Sequence, residues 1–126
     1  MSRSVFLIIA GVMALFFGLS MLLAPAQMLS NMARDSPDAR FVLQWMSCVL
    51  VAVGVINILS RNDTGSLALR AVLVGNVVLH VMGLGIDFYH HTQGFVQASG
   101  VMMGAVVHGL LIIGSAYYLS KLRVTG

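Results

Sequence analysis

Four long apolar runs separated by short polar breaks dominate the chain, at about 5–24, 41–60, 71–88 and 96–119. At 1.5 Å per residue, stretches of about 18–24 residues reach about 27–36 Å, enough to cross a hydrocarbon core of about 30 Å. The pattern predicts an all-α, polytopic membrane protein: one transmembrane four-helix bundle over residues 1–126. Arg3, the first run and Ala24-Pro25-Ala26 imitate a secretory signal with its cleavage site. The run is longer than the roughly 7–15 apolar residues of such signals, so it reads as the first span, ended by Pro25.

Between the first two runs, Met28, Leu29 and Met32 recur at helical spacing with Asn31, Arg34 and Asp35 among them. That spacing suggests a short helix in the membrane interface, broken at Ser36-Pro37; an ordinary polar loop is the alternative. Arg61-Asn62-Asp63-Thr64-Gly65 has the chemistry of a turn, and Arg70 is placed to snorkel outward at the start of the third run.

Composition strengthens the membrane reading. Of 126 residues, 59% are hydrophobic and only 9% charged, with a mean hydropathy of +0.95. Soluble domains carry about 25% charged residues, and this chain has too few to coat a water-exposed surface. The net charge of +3 comes from seven Lys and Arg against four Asp. These basic residues lie scattered at helix ends, without the clustering that nucleic acid requires. The single cysteine, Cys48, excludes an internal disulfide. Four spans put Arg3, Arg61, Arg70, Lys121 and Arg123 on one side and Arg34 and Arg40 on the other. The positive-inside rule then predicts both termini on the cytoplasmic side of the membrane.

Polar side chains within the runs are the candidate chemistry, because they are costly in lipid. Asn76, His80, Asp87 and His91 share one stripe of the third helix, and Gln97, Gly104, His108 and Ser115 one stripe of the fourth. Gln44, Ser47, Gly54 and Asn57 do the same on the second, so a weakly polar seam is expected inside the bundle. Counted from the loop near residue 92, His80 and His108 differ in depth by only about 4–5 Å. Such a pair suits either structural and proton-handling roles or the two axial ligands of a b-type haem, with Gly83, Gly104 and Gly109 leaving side-chain space nearby. Asp87 with His90 and His91 forms a second cluster, readable as a cation or proton site or as solvated helix-end groups.

Gly100-x-x-x-Gly104 is a small-xxx-small motif that permits close helix approach, within the chain or between copies. The nine methionines form no copper motif with histidine, and packing explains them. No hydrolase triad, CxxC pair, phosphate loop or zinc spacing is present.

The layout resembles the DoxX-like families of small bacterial four-helix membrane proteins. The resemblance lies in the Pro25-ended first helix and in Phe41-Val42-Leu43-Gln44-Trp45-Met46, which leads into the run from Val51 to Arg61. It continues in Leu69-Arg70-Ala71-Val72-Leu73-Val74-Gly75-Asn76. It implies a membrane protein or a subunit linked to quinone-side oxidoreduction, and carries no site residues over. Two functions are therefore expected. One is a non-enzymatic accessory subunit packing, within the lipid bilayer, against other membrane proteins or itself. The other is a redox component holding haem or a quinone through His80 and His108.

Overall fold

The computed structural model describes residues 1–32 and 35–123. Five α-helices follow one another: α1 Arg3–Leu23, α2 Pro25–Met32, α3 Pro37–Leu59, α4 Leu67–Thr92 and α5 Ala98–Lys121, with a short 3-10 turn at Ser60–Asn62 after α3. Four of them are long and apolar enough to cross a membrane.

The helix starts are written in local chemistry. Ser2, Ser36 and Ser66 each accept a backbone amide through the side-chain oxygen, from Val5, Ala39 and Leu69. Pro37 stands at the first turn of α3, where its missing N–H costs nothing. Ser36-Pro37 therefore begins a helix rather than only breaking one, which is why α3 starts four residues before the apolar run. Pro25 likewise ends α1 and opens α2, so the expected interfacial helix starts earlier than its methionine spacing suggested. Arg34 and the side chains of Asn31 and Met32 lie outside the described residues.

Two antiparallel hairpins make up the bundle, α1 on α3 and α4 on α5. The first closes almost backbone to backbone. A Cβ placed on Gly54 would stand 2.9 Å from the Gly11 carbonyl oxygen, and one on Gly18 would stand 3.1 Å from the Val51 nitrogen. Gly11 and Gly18 are one heptad apart, as are Ser47 and Gly54 opposite them, so the small residues stay in register along the crossing. At the far end the Gln44 amide donates to the Leu22 carbonyl at 3.1 Å, satisfying one of the acceptors left free where α1 stops.

The main apolar core fills the half of the bundle nearest the termini. Phe6, Leu7 and Ala10 of α1 meet Leu69 and Leu73 of α4 and Leu111 of α5. Met1 lies at this end, its carbonyl accepting from the Tyr118 hydroxyl at 2.6 Å. So does the 60–66 turn, where the Arg3 guanidinium donates to the Asp63 carbonyl. The Asp63 carboxylate takes the Ser66 hydroxyl and the Gly65 and Ser66 amides, and these bonds hold its pKa below the usual carboxylate value. At the opposite end α2 packs on α1, α3 and α5 and buries Leu29. Gly100 and Val101 are buried at the start of α5.

Candidate intramembrane site

Three polar layers cross the interior above that core. In the first, Asn57 of α3 and Asn76 of α4 pair amide to amide: Asn76 Nδ2 donates to Asn57 Oδ1 at 2.7 Å, and Asn57 Nδ2 donates back at 3.2 Å. Asn57 also donates to the Val53 carbonyl at 2.9 Å. Both residues are buried, at 2% and 4% exposure, so mutual pairing spares each the cost of an unmet amide in an apolar layer. The pair ties one hairpin to the other.

The second layer holds the histidines. His80 lies one helical turn beyond Asn76, near the middle of α4, and His108 near the middle of α5. Their Nδ1 atoms are 2.8 Å apart, and the ring centroids 5.1 Å apart at 44°. One nitrogen must donate and the other accept, so the two rings hold complementary tautomers. The depth matching read from the sequence thus ends in direct contact.

Asp87 forms the third layer. Its Oδ2 lies 3.7 Å from His108 Nε2, an ion-pair separation once His108 carries a proton. Glycines on both helices make this arrangement possible. A Cβ on Gly83 would meet the His108 ring at 3.2 Å, so that ring packs directly against α4. A Cβ on Gly104 would collide with the Asp87 carboxylate, so that carboxylate lies in a notch on α5. Gly104 thus receives a side chain from the neighbouring helix of the same chain. Close approach of one helix backbone to another lies instead at Gly11, Gly18 and Gly54, where the heptad spacing of small residues was the available signal.

The remaining candidates separate from this cluster. His91 is exposed, and its Nδ1 lies 2.9 Å from the Val96 carbonyl, bracing the α4–α5 loop. His90 makes edge contacts with the Tyr89 and Phe95 rings. Gln97 is exposed at the cap of α5 and makes no side-chain cap bond. Ser47 is fully buried, and its hydroxyl donates to the Gln44 carbonyl. Ser115 is also fully buried, its hydroxyl without a partner among the described residues.

A metal ion shared by two imidazoles needs metal–nitrogen bonds of about 2.0–2.1 Å, which puts the two nitrogens about 3.3 Å apart in a tetrahedral site and about 4 Å apart when they face each other across the ion. At 2.8 Å the His80–His108 pair is closed by its own hydrogen bond. An iron with its porphyrin does not fit between the rings unless α4 and α5 separate. Among the described residues no three His, Cys, Asp or Glu side chains come together as a metal site.

The fold and these layers define the class: an all-α, multi-pass membrane protein with a histidine–aspartate cluster inside its spans. No family model, curated protein or solved structure matches the chain.

Proposed function

We propose that the chain is a non-enzymatic accessory subunit of a bacterial inner-membrane assembly, with both termini in the cytoplasm. The observation that carries this reading is a groove of about 330 Å³ between α3 and α4. Each hairpin is tightly packed within itself, yet on this side the hairpins stand apart and little besides the Asn57–Asn76 pair bridges them. Val53, Ile56, Ala71, Val72 and Gly75 line the opening, and a Cβ on Gly75 would meet no atom within 4 Å. A small-residue floor open to the bilayer suits close approach by a helix of another membrane protein or a second copy. The resemblance to DoxX-like proteins agrees with a small subunit of this kind.

A photo-crosslinking residue at Val72 or Gly75, expressed in native membranes, should give protein adducts of higher mass. The same residue at exposed Ile113 on α5 should give lipid adducts. Lipid adducts at all three positions would overturn the subunit reading. Orientation is checked separately, because five basic residues against two predict that Thr92 faces outward and Ser2 inward. After replacement of Cys48, an impermeant thiol reagent added to intact cells should label Thr92→Cys and spare Ser2→Cys. The reverse pattern would invert the topology.

A further inference from the structure

We propose that Asp87, His108 and His80 form a proton well, open toward the α4–α5 loop and closed toward the termini. The inference needs only that the chain spans the membrane, so it stands independently of the subunit reading.

The members of the cluster lie at different distances from the α4–α5 loop. The Asp87 side chain is 31% exposed and that of His108 25%, and Asp87 lies between His80 and the loop end of α4. On the other side of His80 the path stops twice. The Asn57–Asn76 pair comes first, and amides neither accept nor release a proton at ordinary pH. The apolar core follows, with Leu7, Leu69 and Leu73 fully buried. A proton that enters by Asp87 reaches mid-bilayer and can only return the way it came.

The ring contacts supply the route. A proton taken up by the Asp87 carboxylate passes to His108 Nε2 when that nitrogen holds its lone pair. The resulting imidazolium gives its Nδ1 proton to His80 Nδ1 across the 2.8 Å hydrogen bond. His80 then carries the charge, His108 is neutral in the other tautomer, and Asp87 is again a carboxylate. Bonds and charge balance without any further reactant. The glycines hold the geometry, since Gly83 admits the His108 ring and Gly104 admits Asp87.

The charged and titratable groups around the well are few. His90, on α4 itself, acts on Asp87 from the loop side. From α1 comes only Arg3, its first residue. From α3 come Asp38 and Arg40, at its first turn, and the exposed thiol of Cys48. The segment 25–32 contributes none.

The test uses the full chain, labelled with ¹⁵N-histidine, in liposomes sorted for orientation by terminal-tag accessibility. Ring nitrogen resonances are followed while pH is stepped from 8 to 3.5 on one side only. The His80 and His108 signals should shift when the loop side is acidified and stay fixed when the terminal side is. Asp87→Asn, which keeps the shape of the carboxylate, should slow the response by about a hundredfold, the lower end of what a positioned proton donor contributes. His91→Ala should leave it unchanged. No proton current above that of empty liposomes should accompany the response. Signals that ignore pH on both sides, signals that follow the terminal side, or an Asp87→Asn response as fast as wild type would each overturn the well. So would a steady current abolished by His80→Gln, since it requires a through path.

Discussion

Gly54→Ala should destabilise the bundle by about 3 kcal/mol, at the upper end of what one added methyl costs in a packed interior. The new Cβ would stand 2.9 Å from the Gly11 carbonyl oxygen and 3.0 Å from the Leu15 nitrogen. Both are backbone atoms of a helix, which cannot turn aside as a side chain can, so α1 and α3 must move apart along their length. Gly75→Ala is the matched control, since its Cβ meets nothing within 4 Å. That substitution should be neutral or stabilising by up to about 1 kcal/mol, because alanine loses less backbone freedom than glycine in a helix. Both replacements change helix propensity equally, so the difference between them isolates the contact. It amounts to about a thousandfold in the folding equilibrium if the control gains fully, and about a hundredfold if it is neutral. Unfolding in mixed micelles of increasing SDS fraction would measure it. Equal midpoints for the two variants would mean that α1 and α3 do not meet at Gly54.

The Asn57–Asn76 pair should show an asymmetric cost. Asn57→Leu strands Asn76, whose side chain has no other described partner, and should cost about 1–3 kcal/mol for the unmet buried amide. Asn76→Leu should cost less, because Asn57 keeps its 2.9 Å bond to the Val53 carbonyl. The double replacement should recover most of the loss, since removing both partners leaves no stranded polar group in an apolar layer. A double-mutant cycle in the same micelles gives the coupling directly. Single hydrogen bonds between membrane helices average about 0.6 kcal/mol, so a coupling of about 1–2 kcal/mol marks a two-bond pair. A coupling near zero would mean that the hairpins are not joined there.

Much of this protein was legible along the chain. Length and apolar content alone dictate the four spans, because lipid offers the backbone no hydrogen-bonding partner and only helices of sufficient length satisfy themselves. The stripes containing Asn57, Asn76, His80 and His108 followed from helical periodicity, and the shared depth of the histidines from the short α4–α5 loop. The serine caps were also present as local signals, although Ser36-Pro37 read as a break until α3 was seen to begin there.

What the tertiary structure alone decided is which polar group faces which. Asp87 stands beside His90 and His91 in sequence, yet it turns across the helix interface to His108 because Gly104 leaves a notch for it. His91 belongs to the same stripe but lies beyond the packed region, where a loop carbonyl is its nearest partner. Glycines carry no side chain to mark their role, so the sequence cannot distinguish Gly104, which receives a carboxylate, from Gly54, which receives a backbone, or from Gly75, which faces open space. That distinction depends on the crossing of two helices, a property of the assembled bundle that no single helical period encodes.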